Sequence, residues 1–360
     1  MEEKKDKFYG MARPEIRDLT EYNPGPMPED CLRISANENN TGVSPKAMAA
    51  MTAAMTRSNR YPDSTCTSLR EKIAEHYGLL AEQILVGNGL DGVFTNLGRA
   101  FLSHGDEVVC AELTFSVYED TAKIMGAVPV KVPMTDDMTH DVDGFINAMT
   151  DKTKFVCFCN PNNPSGTAVS LDEIERAVKA TPAGTFFILD EAYIDFADGS
   201  VKSGLALLER YPNLIVCRTF SKIFGLAGMR VGWIAADPEI LRYMYKTREP
   251  YCVGRVAAAG AEAALDDADF YENSLRVLTA ERVKLAAFLA DNGIKFTPSQ
   301  GNFIMVDIDD AGKVRERLAK RHNIAVRLAA FRGRHTLRIS VGLPEENLRL
   351  ERALLEEMGR

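Results

Sequence analysis

The sequence predicts an α/β protein: a large domain with a mainly parallel seven-stranded sheet covered by helices, then a smaller α+β domain. Three observations predict it. Apolar runs at 84–86, 107–111, 128–132, 154–159, 185–189, 214–218 and 231–236 are mostly too short for helices. Several are apolar on both faces, as buried strands of a helix-covered sheet are. Helix-like segments such as SLDEIERAVKA lie between many of them, which is the alternation of the α/β class. After residue 245 the rhythm changes to a long helical stretch, two strand-like pieces and a final helix.

In chain order, the first segment, MEEKKDKFYG, is charged and lacks the apolar core of a signal peptide. Residues 11–35 read as an irregular arm, because Pro14, Pro24, Gly25, Pro26 and Pro28 break regular structure. A helix begins with Ser44 as its cap and Pro45 at its first position. A second follows at TSLREKIAEHYG. The run ILV then meets a glycine turn in which Gly87, Gly89 and Gly92 spell GxGxxG, with Glu112 20 residues beyond. That spacing matches a dinucleotide fingerprint. The turn itself supports less: a backbone anion site at a helix N-terminus, or a plain strand–helix turn. Past the large domain, a helical stretch is expected over about 255–292. Strands are expected at NFIMVDI and TLRIS, with a helix between them, and a last helix at EENLRLERALLEEM. The expected division is an arm over 1–40, a large domain over 41–247 and a small one over 248–360.

The chain has 360 residues, 46% of them hydrophobic and 26% charged, enough for a large core and two domains. Its net charge of −8 argues against a general nucleic-acid surface. No window holds 18 uninterrupted apolar residues, so no membrane span is expected. The seven cysteines are an odd number. Cys157 and Cys159 share one strand face without a second pair, so reduced thiols in a cytoplasmic protein are expected and zinc is not.

Chemistry concentrates where the expected strands end. KFVCFC runs into NPNNPSG, TFFIL into DEAYIDF, and LIVCR into TFSKIFGLAGMR. One such cluster is an ordinary turn or cap. Three in succession, with an anion loop upstream, point to a site between the domains. Lys222 lies against an apolar segment, where desolvation would favour its neutral, nucleophilic form. A phosphate-bearing aldehyde would join Lys222 to the glycine loop. Pyridoxal phosphate is such a cofactor, and Asp190 is the candidate carboxylate for its ring nitrogen.

With those residues in view, the chain resembles the class I/II aminotransferases of the fold-type I pyridoxal-phosphate enzymes, most of all the histidinol-phosphate branch. The resemblance spans nearly the whole chain: RPEIRDLTEYNPG, SANEN, RYPD, NPNNPSG, DEAYIDF, RTFSKIFGLAGMRVGW and LRISVG. It implies that Lys222 carries the cofactor and that Asp190 pairs with its ring nitrogen. Asn163 and Tyr193 would bond the ring oxygen, and Phe115 would stack on the ring. Gly89, Leu90, Ser221 and Arg230 would hold the phosphate, with Tyr61 reaching in from a second subunit of a homodimer. Arg338 would grip the substrate carboxylate, or the corresponding end of histidinol phosphate. Arg327 and Tyr22 would meet the substrate's phosphate. Arg332, Arg334 and His335 lie near in sequence without an assigned role.

Some residues depart from the family pattern. Leu90 and Gly92 replace commoner small, acidic or polar residues, which a backbone phosphate site tolerates. Leu113 stands in place of the usual Pro before Thr114 and Phe115. On this reading the GxGxxG match is partly accidental, and the phosphate is the cofactor's own. The implied activity is transamination of histidinol phosphate with 2-oxoglutarate. The alternatives are an aromatic or broad-specificity aminotransferase, a threonine-phosphate decarboxylase, a non-catalytic cofactor-binding regulator, and, third, an oxidoreductase.

Overall fold

The structure is a computed structural model that describes residues 7–359 except 18, 24, 26, 29, 332 and 333, and the side chains of 330, 334 and 335 also lie outside that description. Pro24, Pro26 and Arg332, and the side chains of Arg334 and His335, are therefore outside it.

The arm is more regular than its prolines suggest. Pro14 opens a short helix, α1 (Pro14–Arg17), because a proline costs nothing at the first helical position. Leu32–Arg33 form β1, which pairs in parallel with a strand of the C-terminal part. Helix α2 (Pro45–Met55) starts where expected, and the Ser44 side chain accepts from the Ala47 amide. Helix α3 (Thr67–Tyr77) ends on left-handed Gly78.

Next come β2 (Ile84–Asn88), α4 (Gly89–Phe101), β3 (Glu107–Ala111), α5 (Val117–Ile124), β4 (Val128–Val132), α6 (Val142–Ala148), β5 (Thr153–Cys159), α7 (Leu171–Ala180), β6 (Phe186–Asp190), β7 (Leu214–Thr219) and β8 (Val231–Ala235). All seven predicted runs are strands of one sheet, ordered β2-β8-β7-β6-β5-β3-β4. Only β8 runs against its neighbours. Both faces are covered. Val109, Val156, Phe158, Phe187 and Val216 face one core; Cys110, Cys157, Cys159, Ile188 and Cys217 face the other. Alternate residues thus serve opposite cores, and both sets are apolar.

Beyond α8 (Pro238–Thr247), the expected single helical stretch is two helices, α9 (Arg255–Leu265) and α10 (Ala268–Asp291). The break at Asp266–Asp267 has a reason. The Asp267 carboxylate accepts from Ser44 Oγ at 2.5 Å, which ties the break to the start of α2. Helix α9 packs beside α2, so closely that a Cβ on Gly260 would lie 2.7 Å from the Met51 side chain.

The C-terminal part adds β9 (Lys295–Phe296), β10 (Phe303–Asp307), α11 (Ala311–His322), β11 (Ile324–Ala325), β12 (Arg327–Phe331), β13 (Arg334–Ser340) and α12 (Pro344–Glu357). An antiparallel sheet β12-β13-β10-β9 forms, and β1 joins β11. Its core includes Ile304, Val306, Leu318, Leu337 and Leu350. No helix among the described residues is long and apolar enough to cross a membrane.

Candidate active site

A cleft of about 570 Å³ lies along the C-terminal ends of the parallel strands and is closed on one side by β12 and β13. Lys222, Asp190, Tyr193, Asn163, Phe115, Leu90, Ser221, Arg230, Arg338, Arg327 and Tyr22 all line it. A larger pocket of about 880 Å³ lies elsewhere, around Asp307, Asp310 and Glu357, and contains none of these residues.

The strand directions explain the meeting of Gly89 and Arg230. Gly89 follows β2, and Arg230 precedes β8, which runs the opposite way. Both therefore reach the same edge. Gly89 has φ +67°, and a Cβ there would collide with the Arg230 guanidinium. A Cβ on Gly232 would lie 2.8 Å from the Gly89 carbonyl carbon. Arg230 is itself left-handed, with φ +55°, a conformation that costs a non-glycine residue free energy and suggests a constrained site. Its guanidinium reaches Asp91 at 3.0 Å and Ser221 Oγ at 3.4 Å. Together with the first-turn amides of α4, this makes a cradle for a phosphate.

Asp190 ends β6 and is buried. Its Oδ2 accepts from Tyr118 Oη at 2.7 Å and its Oδ1 from the Ala192 amide at 3.0 Å. It forms no ion pair with any described residue. Burial raises its pKa to about 6 against those two hydrogen bonds. A buried carboxylate without a cation suits a protonated ring nitrogen. Lys222 is half-buried and donates to the Ala36 carbonyl at 3.0 Å. Burial, then the charges of Arg338 and Arg230, bring its pKa down to about 7. A substantial neutral fraction then exists at neutral pH, as a carbonyl-capturing amine requires. The phosphate cradle, the carboxylate without a cation and the amine whose proton burial loosens together fit pyridoxal phosphate.

Asn163 Oδ1 accepts from Arg338 Nη1 at 2.7 Å, which leaves its amide nitrogen to donate elsewhere. Tyr193 is buried with its ring edge against Phe303, and burial raises its pKa to about 12. Arg338 Nη2 donates to the Ser35 carbonyl at 2.5 Å, while its Nε is buried without a partner. Arg327 stands directly opposite Arg338 across β12 and β13. Its guanidinium lies 4.9 Å from the Tyr22 ring and donates to the Asn23 carbonyl. Phe115 meets Tyr118 edge to face.

Tyr61 does not line the cleft of its own chain. It is 79% exposed and stacks on Tyr251 at 4.6 Å. Sequence reasoning missed Tyr118 and the backbone of residues 35–37. Tyr118 reads as one more core residue of α5, and its position three after Phe115 was the available signal. No group of three or more His, Cys, Asp or Glu among the described residues could hold a metal.

The family profile "Aminotransferase class I and II" matches residues 29–353. A histidinol-phosphate aminotransferase 2 of Pseudomonas fluorescens is 36% identical over 98% of this chain and 99% of its own length. An aromatic amino acid aminotransferase of Mycolicibacterium vanbaalenii is 36% identical over 93% of this chain and 95% of its own. The crystal structure of histidinol-phosphate aminotransferase from Sinorhizobium meliloti, in complex with pyridoxal 5'-phosphate, superposes with a TM-score of 0.90 at 29% identity, covering 96% of this chain and 97% of that one.

Proposed function

The chain belongs to the aminotransferase class I and II family and is a pyridoxal-phosphate enzyme, and from that premise we propose that its amino donor is histidinol phosphate and its acceptor 2-oxoglutarate. The observation that carries the substrate is the opposed pair Arg327 and Arg338. Like charges directly across two strands repel. A phosphate dianion at the cleft mouth would offset that repulsion, and the planar guanidinium fork suits it. Tyr22 would close over the same end. With 2-oxoglutarate, Arg338 would take a carboxylate.

When bound, the cofactor supplies an aldehyde that takes up the amine and a ring that accepts the electron pair from the substrate Cα–H bond. Lys222 would carry it, with Asp190 at its ring nitrogen and Asn163 and Tyr193 at its ring oxygen. Phe115 would cover its face. Gly89, Leu90, Ser221 and Arg230 would hold its phosphate. With substrate in its place on the cofactor, Lys222 Nζ would take the Cα proton as general base and, as general acid, return it to the former aldehyde carbon. Asp190 would be held in its charged form by its two hydrogen bonds and by a protonated ring nitrogen beside it.

Tyr61 supports a homodimer: it is exposed in its own chain, and the family pattern has it complete a neighbour's phosphate site. The division at residues 41–247 and 248–360, and a cytoplasmic location, are parts of the same proposal. A second reading, aromatic amino-acid transamination, is favoured by the Mycolicibacterium vanbaalenii relative, which is as similar as the histidinol-phosphate enzymes. The test is purified protein with histidinol phosphate and 2-oxoglutarate, beside phenylalanine, tyrosine and threonine phosphate. Glutamate formed fastest from histidinol phosphate is expected. Faster turnover of phenylalanine or tyrosine favours the second reading, and carbon dioxide from threonine phosphate overturns both.

A further inference from the structure

Three consecutive residues, Ser35, Ala36 and Asn37, each hold one functional side chain. The Ser35 carbonyl accepts from Arg338, the Ala36 carbonyl accepts from Lys222, and Asn37 Nδ2 donates to Tyr193 Oη at 3.0 Å. Asn37 is unusual among them. It is fully buried and left-handed, with φ +54°. Asparagine tolerates that region better than most residues, but the surroundings must still enforce it.

They do, and in one sense only. Ser340 Oγ accepts from the Asn37 backbone amide at 2.8 Å. Its single proton then goes to Asn37 Oδ1, 2.9 Å away. Among the described residues the Ser340 proton has no other acceptor, and this need of the buried hydroxyl favours one amide orientation: oxygen toward Ser340, nitrogen toward Tyr193. The Asn37 carbonyl is also held, by Asn302 Nδ2 at 3.2 Å. Because Asn37 donates to the phenol oxygen, Tyr193 cannot return its own proton to Asn37. That proton points elsewhere, and the side open to it is the cleft that Tyr193 lines.

We propose that Asn37, oriented by Ser340, is a positioning residue that fixes Tyr193 as a hydrogen-bond donor into the cleft. The inference rests on the reading of the cleft as a pyridoxal-phosphate site, where Tyr193 faces the ring oxygen. It also gives the SANEN segment a role: it links the small sheet, through Ser340 of β13, to the phenol.

The test uses the cofactor-loaded protein and reads the pH midpoint of the bound cofactor's absorbance, with thermal unfolding as a control. A donor to the ring oxygen favours its ionised form, so losing the donor moves the midpoint upward. Asn37→Gly removes the amide and keeps a residue at ease at positive φ. It should move the midpoint up, in the direction of Tyr193→Phe and by less. In a Tyr193→Phe background it should add nothing. Ser340→Ala, which frees the amide to turn, should give a smaller upward shift and stands in if Asn37→Gly does not fold. Asn37→Asp should also move it up, because a carboxylate accepts the phenol proton and turns it away from the cleft. An unmoved midpoint in Asn37→Gly and Ser340→Ala, or an equal shift with and without Tyr193, overturns the inference. If the unsubstituted protein shows no cofactor band, the site reading falls and the inference falls with it. If the band is present but unmoved by these changes, only the inference falls.

Discussion

Asp190 and Lys222 are set to opposite purposes by one cause. Burial raises the carboxyl pKa to about 6 and lowers the amine's to about 7. A bound ring N–H would return Asp190 to its charged form, so the cofactor and the carboxylate stabilise each other's charge. Asp190→Asn removes that charge while keeping shape. It should retain cofactor yet lose at least about 100-fold in kcat, about 2.7 kcal/mol; near-normal turnover would reduce Asp190 to a structural cap. Arg327 carries the substrate phosphate in the proposal. Losing one charge-assisted bond costs roughly 1.5–3 kcal/mol. Arg327→Ala should therefore raise the KM for histidinol phosphate by roughly 10- to 150-fold and spare phenylalanine. Equal damage to both substrates would remove Arg327 from phosphate recognition. Asp190 and Lys222 were legible in sequence because such types are rare after buried strands, whereas Arg327 was legible only through the family resemblance. Tyr118 and Asn37 were not, because their partners, Asp190 and Tyr193, lie 72 and 156 residues away.

At the level of elements, the seven strands were readable because each is a short, mostly apolar run and several are apolar on both faces. The order β2-β8-β7-β6-β5-β3-β4 was not, since nothing local says that β8 inserts between β2 and β7 in reverse. That reversal is what brings Arg230 to Gly89. The break between α9 and α10 was hidden for a similar reason: its partner, Ser44, lies 223 residues away. The turn from β2 into α4 gives a direct test of the phosphate cradle. Gly89→Ala places a Cβ against the Arg230 guanidinium and adds a left-handed penalty of about 1–2 kcal/mol. Cofactor binding should weaken, its dissociation constant rising at least about tenfold, or about 1.4 kcal/mol, measured by fluorescence titration of the cofactor-free protein. Unchanged affinity would mean that the cradle is not the phosphate site.

The molecule as a whole presents apolar side chains that one chain does not cover. Tyr61 and Tyr251 stack in the open, and Met48 and Met55, seven residues apart on one side of α2, are 50% and 60% exposed. A homodimer that brings Tyr61 to a neighbour's cleft accounts for such a surface. Sedimentation should show a dimer in the active fraction, and a fully active monomer would exclude the shared site. Within each chain, residues of both strand systems, the arm and the start of α4 line one cleft, and Lys222 lies in it. The most direct measurement is borohydride reduction of the cofactor-loaded protein followed by peptide mapping. A single pyridoxyl group is expected, on Lys222. A label on another lysine, or no label on a protein that retains its cofactor, would contradict it.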